Sequence, residues 1–267
     1  MSTTVTNRTS TAPLVVMLIL AVGQPVSTIF STLLGGSFTT ANRGGEPPLT
    51  PAGYTFSVWS LIMVLSLGYA IWAVRHRRRH DSAVIDRLAV PLLVVFAGFS
   101  VWLLAAELEP IWSTLVVIVI MFVALVWALR IALAERGSIA RWPAIGRFLL
   151  WWTLGLYAGW ITVAMWLNLT TAFAGSGAPI TGAVGITAQI ATLAGALGTV
   201  LVMLRWTGGL LPYAAVVCWG LVGAIVGTVD AGQPALTIAV VVGLVVVVVV
   251  TAAIRVRSQA PVAERMA

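Results

Sequence analysis

The sequence predicts an all-α protein: a polytopic bundle of eight transmembrane helices with both termini in the cytoplasm. Three observations lead to this fold class. Hydrophobic residues make up 60% of the 267 positions and charged residues only 9%, which is too apolar for a soluble domain of this length. Apolar stretches of roughly 20 residues, the length of a spanning helix, recur along the chain. The arginines fall almost entirely in alternate connections between these stretches.

Polar or helix-breaking connections separate the eight apolar windows. The windows cover about 13–34, 56–75, 88–106, 111–133, 148–173, 183–204, 209–229 and 235–254. In the first, Gln24-Pro25 interrupts a short apolar run, which fits either a proline-kinked spanning helix or the core of a cleaved signal peptide. We predict the spanning helix, because no clean small-x-small cleavage site follows it. Cleavage would leave seven helices in the same orientation.

The basic residues predict the orientation in the membrane. All fifteen are arginines, and with the N-terminus inside only Arg43 lies in an outer connection. This asymmetry follows the positive-inside rule and predicts a multi-pass protein with both termini inside. The all-arginine basic set and the richness in alanine and valine suggest a bacterium, so we predict the inner (cell) membrane. The asymmetry also accounts for the isoelectric point near 11. We therefore predict no nucleic-acid partner, although the run RHRRRH is strongly basic.

Several classes of function need residues that the predicted spans lack. There is no lysine for a Schiff base, and no ionisable side chain falls near the centre of a window. His76 and His80 lie in an inner connection, where they cannot serve as intramembrane haem ligands. No metal-ligand cluster or catalytic triad is visible. The sequence thus predicts a protein that is not an enzyme, an ion-coupled pump or a cytochrome, and it gives no metal site.

The fifth window carries aromatic residues through its middle. At 100° per residue, one arc of the helix collects six side chains: Thr153, Tyr157, Trp160, Ala164, Asn168 and Thr171. An amide in hydrocarbon needs a partner, because an unsatisfied one costs about several kcal/mol. Two interpretations stay open for this stripe. Asn168 forms an interhelical hydrogen bond, or the stripe lines a pocket whose rings flank a flat ligand.

The stretch TPAGYTFSVW, at the start of the second window, forms a second aromatic group. Pro51 and Gly53 predict a tight turn, after which Tyr54 would lie at the water–lipid boundary. On the helix that follows, one face collects five residues: Phe56, Trp59, Ser60, Met63 and Leu67. We interpret the stretch as an entrance or lid on a ligand site. Anchoring at the membrane interface is the alternative.

These residues carry a family resemblance. Pro47-Pro48, then PAGYTF from Pro51, Val58-Trp59 and the run from Trp160 to Asn168 resemble the TspO/MBR family, the tryptophan-rich sensory proteins related to the mitochondrial translocator protein. The resemblance covers about residues 13–173. It implies a five-helix bundle, and a tetrapyrrole or sterol-like ligand in a central cavity. Tyr54 stands where the family usually has tryptophan, so the ligand's identity is not carried over.

Together these observations divide the chain and suggest its function. We predict a polar tail (1–12), a five-helix TspO-like bundle (13–173), three additional helices (174–254) and a cytoplasmic tail (255–267). The leading hypothesis is a sensor or carrier for a flat hydrophobic molecule such as a porphyrin. The predicted site residues are Tyr54, Phe56, Trp59, Tyr157, Trp160 and Asn168.

Two other classes of function remain open on the sequence alone. One is a permease for a small organic solute without ion coupling. The other is a non-catalytic scaffold, in which the small-residue pair Gly223 and Gly227 contacts another protein. The sequence predicts no certain cofactor and leaves open a bound tetrapyrrole as ligand. It also leaves room for a homo-oligomer in the lipid bilayer.

Overall fold

A computed structural model describes residues 11–33, 46–77, 82–108 and 112–263. Within these ranges the chain is helical and has no strand. The helices are α1 (Ala12–Leu33), α2 (Val58–His76), α3 (Ser82–Leu108), α4 (Ser113–Ala134), α5 (Arg136–Ala140), α6 (Ala144–Gly175), α7 (Gly182–Thr207), α8 (Leu211–Asp230) and α9 (Pro234–Ala263), with a 3₁₀ helix at Gly53–Ser57. All the α-helices except α5 form part of the 8 segments that are long and apolar enough to cross a membrane. The predicted fold class, all-α with eight spanning helices, is confirmed. The side on which each terminus lies stays a prediction.

The first predicted helix forms as a continuous element. α1 runs through Pro25 without a break. It packs against α2 and α3, and it buries Met17, Ala21 and Gln24 completely. The first window therefore forms a helix of spanning length, as predicted. The polar Gln24 points into the bundle and does not end the helix.

α3 begins at Ser82 rather than near residue 88, because the stretch SAVIDR is amphipathic. Val84 and Ile85 are buried. Asp86 accepts two hydrogen bonds from the guanidinium group of Arg77, at 2.7 and 2.9 Å. Hydrogen bonding to Asp86 raises the pKa of Arg77 above its ordinary value, so Arg77 keeps its charge. A window chosen by hydropathy leaves out this charged first part of α3, although it is helical and packs against the bundle.

Another boundary differs from the predicted one for a similar reason. α9 continues to Ala263 instead of ending near residue 254. Arginine is a good helix former, so Arg255 and Arg257 extend the helix past its apolar segment. The polar connection before the fifth span also contains the short helix α5. Apolar length marks the part of a helix that lies in the bilayer, whereas the helix itself continues into water.

Five of the helices form a closed ring of neighbours. α1 packs against α2 and α3, α4 against α3 and α6, and α2 against α6. Large aromatic side chains fill the inside of this ring. Phe96, Phe99, Tyr157 and Trp160 are all essentially inaccessible to solvent. The interior is a packed aromatic core, and α6 is the helix that joins it to the rest of the chain.

The last three spanning helices dock on the outer side of α6. α8 and α7 both pack against α6, and α9 packs against α7 and α8. Small residues on α6 let α8 approach closely: a Cβ added at Gly155 would lie 2.7 Å from Cγ of Pro212, and one at Gly159 would collide with Val216. α6 is therefore shared between the ring and the C-terminal helices.

Candidate functional site

A groove with a volume of about 390 Å³ lies between α1 and the beginning of α2. We call it the α1–α2 groove. Its lining residues are Pro25, Thr28 and Ile29 of α1, with Gly53, Tyr54, Phe56, Ser57, Trp59, Ser60 and Met63 of the 3₁₀ helix and α2. None of these residues is charged, and the polar ones are hydroxyl-bearing apart from the indole of Trp59. The groove can therefore take an uncharged or weakly polar surface with few hydrogen bonds.

Trp59 forms the innermost aromatic wall of the groove and belongs to a larger aromatic cluster. Its ring centroid lies 4.7 Å from that of Phe99, 5.8 Å from that of Tyr157 and 6.2 Å from that of Trp160, all in edge-to-face arrangements. Phe56, also in the wall, packs edge-on against Trp160 at 5.7 Å. Such pairs contribute about 0.5–1.5 kcal/mol each beyond the area that they bury. The groove is thus backed by aromatic side chains of the ring core.

Buried polar groups accompany this cluster. The hydroxyl of Tyr157 donates to Oε1 of Gln24 at 2.8 Å, and both residues are fully buried. Nε2 of Gln24 and the indole nitrogens of Trp59 and Trp160 have no hydrogen-bond partner among the described residues. A buried donor without a partner costs about 1–3 kcal/mol. The core behind the groove therefore holds unused hydrogen-bond donors.

Asn168 has its partners elsewhere. Its Oδ1 accepts a hydrogen bond from the indole nitrogen of Trp102 at 3.3 Å, and its Nδ2 donates to the carbonyl oxygen of Ala164 at 2.8 Å. The first bond joins α6 to α3. Of the two interpretations of the aromatic stripe, Asn168 therefore fits the first, because it forms an interhelical hydrogen bond. Trp102 in turn lies 6.1 Å from Trp59, centroid to centroid.

The segment 49–57, which carries Tyr54 and Phe56, is held down by the C-terminal helices, and we call it the strap. The backbone nitrogen of Leu49 donates to Oε1 of Gln189 on α7 at 2.9 Å. On α8, the carbonyl oxygen of Gly223 accepts from the backbone nitrogen of Ala52 at 3.0 Å, and Nε1 of Trp219 donates to the carbonyl oxygen of Thr55 at 2.8 Å. One wall of the groove is thus fixed from outside the ring.

Comparison with known protein families agrees with this architecture. A family described as TSPO-like protein matches residues 12–254. The chain belongs to the TSPO-like family. The match includes α7, α8 and α9 as well as the five-helix ring, and it confirms the TspO/MBR resemblance. No curated protein and no solved structure matches the chain.

The structure of this TSPO-like protein divides the six predicted site residues into two groups. Tyr54, Phe56 and Trp59 line the α1–α2 groove. Tyr157 and Trp160 lie behind them in the aromatic cluster, and Asn168 lies outside the groove's lining. The predicted helix face is divided in the same way. Phe56, Trp59, Ser60 and Met63 line the groove, and Leu67 does not.

The small-residue pair on α8 of the TSPO-like chain contacts the strap. A Cβ added at Gly223 would collide with the side chain of Thr55, and one added at Gly227 would collide with the carbonyl oxygen of Thr50. The lack of a side chain at these glycines thus lets the strap approach α8 closely. Their partner is a segment of the same chain, so the scaffold hypothesis loses the docking surface on which it rested.

Sequence reasoning missed Gln24, Gln189 and Trp219. The two glutamines carried a usable signal, because an amide inside an apolar span costs free energy unless it has a specific partner. Gln24 was interpreted only as an interruption of the first helix. Trp219 lies near the middle of α8, and no pattern in the sequence singled it out from the other tryptophans. The described part of the TSPO-like chain holds no group of three or more His, Cys, Asp or Glu side chains that could bind a metal ion.

Proposed function

We propose that this TSPO-like membrane protein is a sensor or carrier that binds a flat hydrophobic molecule, such as a porphyrin, in the α1–α2 groove. The observation that carries the proposal is the groove itself: a cavity of about 390 Å³ with three aromatic rings and no charged side chain in its described lining. Ligand sites are commonly apolar, aromatic clefts of about 300–1,000 Å³.

The aromatic lining favours this groove over another cavity of similar size. A cavity of about 300 Å³ lies between the end of α6 and the start of α7, but Phe173 is its only aromatic lining residue. Three of the six site residues, Tyr54, Phe56 and Trp59, line the α1–α2 groove. Flat aromatic ligands are held by ring faces and edges, which the second cavity supplies poorly.

We assign different roles to the six site residues. Tyr54, Phe56 and Trp59 contact the ligand, Tyr157 and Trp160 back the two inner rings, and Asn168 fixes Trp102 next to Trp59. The indole nitrogen of Trp59 has no partner among the described residues. A ligand with an acceptor atom would satisfy it after a small rotation of the ring, which favours a heteroaromatic ligand over a pure hydrocarbon.

The proposal also covers the protein's chemistry and its location. It gives the protein no catalytic role and no cofactor other than the bound ligand. We place the protein in the bacterial inner membrane with both termini inside, on the arginine distribution. The ligand, being hydrophobic, would reach the groove from the lipid phase, because Ile29 and Tyr54 are exposed side chains at its edge.

The test is a porphyrin titration of the purified full chain in detergent, followed by tryptophan quenching and by the porphyrin absorption band. Ser60→Phe fills the groove from an exposed position on its wall, and it should abolish saturable binding without disturbing the core. Leu61→Phe is the matched control, because Leu61 is 47% exposed, lies next in the chain and does not line the groove. Equal binding by both variants, or no binding by the wild type, contradicts the proposal.

A second measurement separates sensing from carriage. Vesicles reconstituted with the protein should show protein-dependent equilibration of a fluorescent porphyrin if the protein is a carrier. This equilibration should need no pH or sodium gradient, since no charged side chain of the described residues lines the groove. A sensor would bind the same porphyrin without moving it.

A further inference from the structure

Two arginines flank the turn that joins α7 to α8. Nη2 of Arg136 donates to the carbonyl oxygen of Thr207 at 2.7 Å. Nη1 of Arg255, from α9, donates to the carbonyl oxygen of Gly209 at 3.4 Å. Thr207 and Gly209 are two residues apart, so both guanidinium groups are held beside the same short turn although they come from distant parts of the chain.

The turn has a left-handed backbone conformation. Gly208 and Gly209 have φ of 72° and 71°, and of the two only Gly208 is exposed. Capping these carbonyls at the negative end of α7 explains one contact for each arginine. A guanidinium group has five N–H donors, so most of the donors of Arg136 and Arg255 are not used by the turn.

Among the described residues the two arginines are not paired with a carboxylate, although Glu135 precedes Arg136 in the chain. In the described ranges, neither Arg136 nor Arg255 forms a salt bridge, and Glu135 is paired with Arg87 at 2.7 Å. Arg205, in the last turn of α7, adds a third arginine at this end of the helix, and its side chain is exposed. Like charges held close together repel, and a bound anion relieves that repulsion.

The surroundings place this charge at the edge of the bilayer. The spanning segment of α7 ends at Thr207. Trp206 is 41% exposed, and the guanidinium carbon of Arg136 lies 5.7 Å from the ring centroid of Trp151. Exposed indoles are typical of the headgroup level of a membrane. Val202 and Val256 are also exposed and would face the hydrocarbon of a lipid bound here.

We propose that Arg136, Arg255 and the turn Thr207–Leu210 form a binding site for the phosphate group of an anionic membrane lipid. Guanidinium groups bind phosphate oxygens through paired N–H donors. The turn fixes one edge of each guanidinium group and leaves the others free for the phosphate. The acyl chains of the lipid lie along the exposed apolar faces of α7 and α9. This site is independent of the α1–α2 groove.

The experiment measures retention of phosphatidylglycerol against phosphatidylcholine by the delipidated full chain in neutral detergent, using native mass spectrometry and the thermal midpoint. Wild-type protein should retain phosphatidylglycerol preferentially and melt higher in its presence. Arg136→Gln and Arg255→Gln each keep an N–H donor but remove the charge. Each should weaken phosphatidylglycerol binding about fivefold, since one arginine near the surface contributes about 1 kcal/mol.

Arg257→Gln is the matched control. Arg257 is an exposed arginine two residues beyond Arg255 on α9. The substitution therefore removes the same charge from the same helix end but removes no contact with the turn.

Glycerol phosphate tests the phosphate group without acyl chains. If it competes with phosphatidylglycerol at millimolar concentration, the phosphate is the recognised group. If glycerol phosphate on its own does not saturate the site, the lipid is the natural source of that phosphate. Equal retention of the two lipids, or equal weakening by Arg257→Gln and Arg255→Gln, overturns the proposal. Because the 3.4 Å bond of Arg255 is long, the Arg255→Gln variant should fold and keep the test decisive.

Discussion

Trp219 on α8 donates a hydrogen bond from its indole nitrogen to the carbonyl oxygen of Thr55 at 2.8 Å. The two residues are far apart in the chain, and the bond joins the C-terminal helices to the strap. The same indole packs edge-on against Tyr54, with ring centroids 5.6 Å apart. A single side chain thus supports both the backbone and one aromatic ring of the proposed ligand groove.

Replacing Trp219 with phenylalanine should therefore weaken ligand binding without unfolding the protein. The ring contact with Tyr54 persists in part, but the hydrogen bond to the strap is lost. A net hydrogen bond contributes about 0.5–1.5 kcal/mol, so porphyrin affinity should fall severalfold in the quenching titration. Trp127→Phe is the control, because Trp127 is a similarly exposed tryptophan on α4, outside the groove lining. An equal loss in both variants would show that the titration senses tryptophan number rather than the strap.

Two glycine-to-alanine substitutions should change stability in opposite directions. In Gly223→Ala the added methyl collides with Thr55, and overpacking of this kind costs about 1–3 kcal/mol. In Gly198→Ala, on α7, nothing lies within 4 Å of the added atom, and alanine favours the helix by up to about 1 kcal/mol. The thermal midpoint in detergent should fall in the first variant and hold or rise in the second. A strap that tolerates Gly223→Ala without loss would not be tightly packed on α8.

The buried pair of Gln24 and Tyr157 predicts a non-additive double-mutant cycle. Tyr157→Phe removes the donor to Oε1 of Gln24 and leaves the amide buried without that partner, which should cost about 1–3 kcal/mol. Gln24→Leu in the Tyr157→Phe background removes the stranded amide and should recover much of the loss. Thermal midpoints of the two single variants and the double variant give the coupling. Additive losses would mean that the two side chains do not depend on each other.

Asn168→Ala should reduce porphyrin affinity less than Trp59→Leu does. Trp59 lines the groove, whereas Asn168 acts through Trp102, which lies behind Trp59. Both variants are compared in the quenching titration, with the remaining tryptophan signal corrected for Trp59→Leu. An equal or larger effect of Asn168→Ala would place its amide in direct contact with the ligand.

The sequence predicted the spanning helices well because each is a local property. Roughly 20 apolar residues define a span wherever its neighbours lie, and the boundaries differed most where Ser82 and Arg255 continue a helix into polar sequence. The helical phase of Phe56, Trp59, Ser60 and Met63 is also a local property. It placed these four residues on one face of the helix, and that face lines the groove.

The rest of the candidate site depends on distant contacts that no local pattern contains. Leu49 meets Gln189, and Thr55 meets Trp219, across more than a hundred residues. The aromatic stripe on α6 shows a second limit, since rings that line a cavity and rings that fill a core have the same helical phase. Tyr157 and Trp160 fill the core, and only the packing of other helices around them decides this.

The strap's attachment to α7 and α8 has a consequence for the protein's history. A chain cut after α6 would lose Gln189, Gly223 and Trp219, and with them the three polar contacts described above that hold the strap from outside the ring. The C-terminal helices are therefore not a detachable module that descendants could exchange freely. Among its relatives, residues 49–55 should change in step with positions 189, 219 and 223, so that a substitution on one side of this contact is matched on the other.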